Sequence, residues 1–254
     1  MSLSVVVTTL NEDKNIDNLL RSFENQILDE IIIVDAGSTD KTRDIVKRRK
    51  EKDERIELYV KRGTRGESRN YGVEKSSSDF VAFTDGDCIV DEKWSKSLLK
   101  NSNEYKIIAG KVMNIGNSPW KNVSHIRTVF DGNELNYGTC NLMYEKELFN
   151  SLGGFDRRFI TGEDIDLNFR AVKNGQKILY EPEAIVYSKP RDDILKFLKQ
   201  SFYYGYGRKQ FSIKHGYKLK EYNSKDLIKN MKNDFWEFLR FPFGIIGYLS
   251  CHEL

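Results

Sequence analysis

The chain has 254 residues, with 41 basic and 38 acidic side chains and a formal net charge of +3. Its 39% hydrophobic and 31% charged residues suffice for one large α/β domain or a domain with a smaller appendage, and so even a charge balance lacks the footprint of a nucleic-acid binder. Cys88, Cys140 and Cys251 lie too far apart for a disulfide framework or a metal-ligand spacing, which fits a reducing compartment. No run reaches the roughly 20 apolar residues of a membrane span, and the start Met-Ser-Leu-Ser-Val lacks the charged leader of a signal peptide. A cytoplasmic location is the expectation.

Ser4–Thr8 is a β-branched run of strand length, and Ile31–Val34 is a second. Between them Ile16, Leu19, Leu20, Phe23 and Ile27 recur at helical spacing. The turn-rich segment Asp35–Asp40 can cap a helix beginning near Lys41. Ile56–Val60 reads as a third strand, Glu67–Glu74 as a helix and Phe80–Thr84 as a fourth strand. Alternation of this kind predicts an α/β fold with a mainly parallel, doubly wound sheet of Rossmann-like type. Ligands of such sheets sit beyond the carboxyl ends of the strands, where Asp35 and Asp85 fall. Tyr105–Val112 and Thr139–Tyr144 read as further strands, joined by a polar connection over Asn114–Gly138. A helix over Glu163–Asn174 is expected to stop at Gly175, and another runs from Pro190 to about Tyr204.

Asp85-Gly86-Asp87 places two carboxylates one residue apart at the tip of a buried strand. Hard oxygen ligands of this kind suit Mg²⁺ or Mn²⁺ bridged to substrate phosphates, and Gly86 allows close backbone approach. The same triplet is also ordinary turn chemistry. Asp35 can accept from the edge of a base, and the Gly-Ser-Thr-Asp that follows offers backbone N–H groups, although capping the next helix would equally explain that segment. Arg69 can reach a base or phosphate. Glu163, Asp164 and Asp166 open a predicted helix, where acids complement the helix dipole. One of them can also serve as a general base. Asp164 is preferred, with Asp166 assigned to a different helical face and Glu163 to the acceptor side.

Taken in order, Thr8-Thr-Leu-Asn-Glu12, Val34-Asp-Ala-Gly-Ser-Thr-Asp40, Arg69-Asn-Tyr-Gly72, Phe83-Thr-Asp-Gly-Asp87, Gly153-Gly-Phe-Asp156 and Gly162-Glu-Asp-Ile-Asp-Leu167 resemble the inverting, non-processive family 2 glycosyltransferases of GT-A fold. The resemblance covers nearly all of 4–190. It implies a GT-A catalytic domain over 1–190, with a nucleotide-binding half over about 1–90 and an acceptor half over about 91–190. A C-terminal helical, aromatic-rich extension would occupy 191–254. It further implies a nucleotide diphosphate sugar donor, UDP first and GDP second, and transfer of a single sugar to a saccharide or lipid-linked acceptor. Thr9, Asn11, Glu12, Asp35, Arg69, Asp85 and Gly86 would bind the donor. Asp87 with Asp85 would hold the Mn²⁺ or Mg²⁺, Asp164 would be the base, and Glu163 and Asp166 would lie on the acceptor side.

Three departures stand out. Ser188 occupies a position where relatives often carry a metal-binding histidine, with His215 as a conceivable substitute. Ala36 replaces the second acid of the usual Asp-Asp-Gly-Ser segment. Gln200-Ser-Phe-Tyr-Tyr lacks the Gln-x-x-Arg-Trp of processive synthases. In the tail, 200–211 and 235–249 are rich in aromatics, with Pro242 and Gly244 expected to interrupt any helix. Two readings of the tail stand: an element at the inner membrane surface, or a segment packed on its own domain or a second subunit. Two other functions are weighed. A nucleotidyltransferase would need a Gly-rich phosphate loop that Ser4–Asn15 lacks, and a non-catalytic binding module would bind nucleotide without turnover.

Overall fold

The computed structural model describes residues 1–121, 123, 128–189, 193–216 and 234–254. Its first half delivers the expected alternation: β1 (Leu3–Thr9), α1 (Ile16–Ser22), β2 (Glu30–Asp35), α2 (Thr42–Lys50), β3 (Ile56–Val60), α3 (Arg65–Lys75), β4 (Phe80–Asp85), β5 (Cys88–Val90) and α4 (Trp94–Leu99). The second half holds β6 (Ile107–Asn114), the small hairpin β7 (Val129–Phe130) and β8 (Asn133–Glu134), β9 (Leu142–Glu145), α5 (Lys146–Ser151), α6 (Glu163–Lys173), β10 (Ile178–Ser188), α7 (Ile194–His215) and α8 (Phe235–Ser250).

The main sheet has the order β3-β2-β1-β4-β9-β6-β10-β5. β1 runs parallel to both β2 and β4, and β3 extends the parallel set. The strand β9 is antiparallel to β4 and to β6, and β5 closes the far edge antiparallel to β10. Both faces of the parallel set are covered, which is why its strands read as continuous apolar runs. Val5, Val7, Ile31 and Ile33 face the side packed by α1, α2 and α4 through Leu19, Val46 and Trp94. Val6, Ile32, Val34 and Phe83 face Val73, Phe149, Phe155 and Leu167 of the opposite layer. Gly72 lets α3 lie directly on β1, because a Cβ there would overlap the Val6 side chain. A third cluster, Leu135, Phe159, Phe169, Val172 and Phe211, seats α7 on α6.

Some expectations need correction. The helix α1 stops at Ser22, leaving Ile27 outside it and 55% exposed. Thr139–Asn141 form a 3₁₀ turn, and the strand begins only at Leu142. α7 runs past Tyr204 to His215, where Gly216 at φ +61° closes it. Pro242 and Gly244 do not break the tail, since α8 continues through both. A proline removes one N–H and crowds one turn. Here the packing of α8 against α7 outweighs that cost, with the two helices tightly apposed.

Candidate active site

The register of the parallel strands brings four motif residues to one edge. Thr9 pairs with Asp35, and Thr8 pairs with Asp85. The loops beyond these strands are knitted together by side chains. Asn11, held at φ +56°, accepts from the Thr39 N–H at 2.9 Å and donates its own backbone N–H to the Ser38 hydroxyl at 2.8 Å. The N–H of Glu12 donates to Thr42 Oγ1 at 2.8 Å, and Glu12 Oε2 accepts from Asn15 at 2.7 Å.

Asp35 is fully buried. Its Oδ1 accepts from the N–H groups of Gly37 and Ser38 at 3.0 and 2.8 Å, and its Oδ2 accepts from the Ser38 hydroxyl. A carboxylate has about four acceptor positions, and this turn takes three of them. Asp35 therefore shapes the turn, with one acceptor position left over. Thr9 is 4% exposed, and its hydroxyl has no partner. A Cβ on Gly86 would come within 3.0 Å of that hydroxyl. Buried polar atoms ordinarily find partners, which makes the orphaned hydroxyl beside Gly86 a point where a ligand group fits.

Arg69 is the centre of the arrangement. It is 2% exposed, with Nη2 2.9 Å from Asp85 Oδ1 and Nη1 2.6 Å from Glu163 Oε1. Each terminal nitrogen gives one hydrogen bond to a carboxylate, and the buried Nε has no partner. Burial works against the charged guanidinium, but Asp85 and Glu163 outweigh it and raise its pKa. Residues of α3, β4 and α6 are joined by this one side chain.

α6 is aimed by backbone geometry. Gly162 at φ +80° precedes it, a conformation that L residues rarely adopt. Asp164 follows, half-buried, with Oδ1 accepting from the Ile165 N–H at 2.8 Å. Burial and the negative charge of Glu163 push its carboxyl up to about 6, although Arg69 and the N–H bond pull the other way. Next to it lies the turn that carries Gly138 and Cys140. The turn is held by Asn141, which accepts from Trp94 Nε1 at 2.9 Å and donates to the carbonyls of Lys111 and Ala184. Burial raises the Cys140 thiol to about 12, with Asp85, Asp164 and Asp87 adding to the effect and Arg69 opposing it. The acids of the two motifs therefore surround one spot. Cys140, which the sequence shows only as an isolated cysteine, thus stands among these acids.

Asp166 is corrected in full. It is buried without exposure, between Arg170 Nη2 at 2.8 Å, Lys214 Nζ at 2.7 Å and His215 Nε2 at 2.7 Å. Burial alone would raise its carboxyl, but the His215 bond and the charges of Arg170 and Lys214 hold it below the ordinary value. It ties α6 to α7 and does not face an acceptor. His215 is committed to that tie and packed at a tilt against the Phe169 and Phe211 rings, so it is not placed as a substitute metal ligand.

Asp87 is half-buried immediately before β5, and Ser188 stands across from Cys88 at the end of β10. Among the described residues no group of three His, Cys, Asp or Glu side chains is placed to hold a metal. Two aspartates with a hydroxyl nearby do fit a hard cation such as Mg²⁺ or Mn²⁺, which keeps waters and phosphate oxygens in its shell. They do not fit a closed Zn²⁺ site.

A mainly parallel sheet with clustered acids beyond its carboxyl edge defines an α/β protein whose ligand site is expected at that edge. The profile described as "Glycosyl transferase family 2" matches residues 4–162, and "Glycosyl transferase family group 2" matches 134–246. The chain belongs to glycosyl transferase family 2 and is an enzyme of the glycosyltransferase class. It is 28% identical over 246 residues to the Methanococcus voltae dolichyl N-acetyl-alpha-D-glucosaminyl phosphate 3-beta-D-2,3-diacetamido-2,3-dideoxy-beta-D-glucuronosyltransferase, across 85% of this chain and 75% of that protein. It is 32% identical over 108 residues to the Campylobacter jejuni GalNAc(5)-diNAcBac-PP-undecaprenol beta-1,3-glucosyltransferase, across 40% of this chain and 35% of that protein. Its fold matches S. aureus TarS 1–349 in complex with UDP-GlcNAc at a TM-score of 0.61, with 20% identity, over 92% of this chain and 80% of that one. The fold is GT-A.

Proposed function

We propose that the enzyme transfers a single sugar from a UDP-sugar, with GDP as the second choice of nucleotide, to a hydroxyl of a lipid-linked saccharide, inverting the anomeric centre. The observation that carries the reading is the Asp85–Arg69–Glu163 bridge with Asp164 beside it, which joins the donor-side strand edge to the helix bearing the base. The UDP-GlcNAc complex of the structural neighbour supports the donor class. The dolichyl and undecaprenol acceptors named for the two relatives support the acceptor class.

In this reading the nucleoside sits against Thr9, Asn11, Glu12 and the Asp35 turn, with Gly86 leaving room for it. Asp87 and Asp85 would hold the Mg²⁺ or Mn²⁺, which when bound neutralises charge on the leaving diphosphate. Asp164 orients the acceptor hydroxyl and takes its proton while the acceptor oxygen bonds to the anomeric carbon and the bond to the diphosphate oxygen breaks. A carboxyl raised to about 6 is well matched to proton removal near neutral pH. Glu163, fixed by Arg69, holds the start of α6 against the donor side. The catalytic part is assigned to 1–190, divided near residue 90 into donor and acceptor halves, with 191–254 as an appended extension.

Release of UDP from UDP-GlcNAc by the wild type and by Asp164→Asn tests the assignment of the base. Loss of release with unchanged UDP affinity is expected. Equal release by both proteins would remove Asp164 from that role.

A further inference from the structure

α8 has an unusual division of charge. Its two charged side chains, Glu237 and Arg240, bond to each other at 2.8 and 2.9 Å, and Glu237 is buried. On the same inward side, Gly205 of α7 meets the backbone of Gly244, and Gly247 meets that of Phe202, so closely that a Cβ at Gly205 or Gly247 would overlap carbonyl atoms. The two helices are therefore locked backbone to backbone, and the orientation of α8 is fixed.

Apart from Ser250 at its last position, the exposed residues of α8 are apolar. Phe235, Phe238, Pro242, Ile245, Ile246 and Leu249 are all exposed, Ile245 by 43% and Leu249 by 66%. At about 100° per residue they fall within an arc of about 100° on one side of the helix. A continuous apolar stripe of this size on a soluble protein marks a contact surface. No helix of the described residues is long and apolar enough to cross a membrane, and a stripe on one side of a helix suits lying along a surface.

Charge identifies the occupant. Residues 189–254 carry thirteen Lys and Arg against seven Asp and Glu, whereas the preceding 188 residues carry 28 against 31. Lys209 of α7 lies 5.1 Å from the ring centroid of Tyr248, at the flank of α8. A second copy of this chain would carry the same basic excess and the same Lys209 beside its α8, which favours an anionic partner over self-association. An anionic bilayer surface supplies both an apolar layer for the stripe and opposite charge for its flanks.

We propose that the α8 stripe docks this enzyme on an anionic membrane surface, laying the Phe235–Leu249 side into the headgroup boundary. This surface stands independently of the donor and acceptor assignments, because vesicles without any acceptor suffice to test it. Co-sedimentation is measured with vesicles of phosphatidylcholine alone and of phosphatidylcholine with phosphatidylglycerol, for the wild type and for the double variant Ile246→Asp, Leu249→Asp. UDP binding and thermal unfolding confirm that the variant is folded; Phe238→Ser provides a milder second variant.

The wild type is expected to bind the anionic vesicles, less so at high salt, and the double variant to bind about tenfold more weakly or worse. Absence of vesicle binding by the wild type, or equal binding by the folded variants, overturns the proposal. A wild-type dimer dissolved by the same substitutions, without vesicle binding, would assign the stripe to a second copy instead.

Discussion

Asp164 carries the sharpest consequences at the residue scale. As the proposed base it must be ionised to accept a proton, so the transfer rate is expected to fall about tenfold per pH unit below about 6, as a pH–rate profile would show. Stability has the opposite sign. The folded carboxyl, near 6, holds its proton more tightly than the unfolded one at 3.8. The native state therefore binds the extra proton between those values and is penalised once Asp164 ionises above them. Asp164→Asn is thus expected to lose transfer by a factor of about 10² to 10⁴ while gaining stability on the order of 1 kcal/mol at pH 8. That gain should vanish below about pH 4, and urea unfolding at the two pH values checks it. Arg69→Met, by contrast, leaves Asp85 and the buried Glu163 without their shared cation. A loss of about 3 kcal/mol is expected in the same unfolding experiment, together with weaker nucleotide binding.

Elements differ in how openly the sequence shows them. The strands β1, β2 and β4 are legible because burial on both faces demands unbroken β-branched and aromatic runs. The motif acids follow, since strand ends can be placed from such runs. Helix ends in tertiary context are less legible: Ile27 continues the apolar spacing of α1, yet the chain turns away after Phe23. The helix α8 survives Pro242 because its glycines allow a close fit on α7, a gain invisible in the local sequence. The bridge from Arg69 to Glu163 spans 94 positions, and no spacing rule reaches across them. Asp166 shows the same limit: Arg170 one turn away is readable, but Lys214 and His215 come from another helix. Gly72→Ala tests the packing of α3 on β1. The added methyl must displace Val6, and a destabilisation of about 1–3 kcal/mol is expected by chemical denaturation.

Over the whole molecule, the site is assembled from three distant stretches of chain: the first two strand–loop units, the Arg69–Asp87 region and the start of α6. Occupying the donor site should therefore stabilise the fold as a unit. At a nucleotide concentration about 100 times Kd, binding adds about 2.7 kcal/mol, which for a chain of this size raises Tm by roughly 5–10 °C. Asp164→Asn should keep that shift, whereas Asp87→Ala should lose it. The last quarter of the chain is its most basic part, which is the charge that the proposed docking of α8 on an anionic surface uses.

The measurement that bears most directly on the proposed donor site is calorimetric titration with UDP and GDP, each with and without Mn²⁺, on the wild type and on Asp87→Ala. Metal-dependent binding of UDP by the wild type, lost in Asp87→Ala, is the predicted result. Failure of the wild type to bind either nucleotide in the presence of Mn²⁺ would contradict the assignment of the Thr9, Asp35, Asp85 and Asp87 edge as a nucleotide-sugar site.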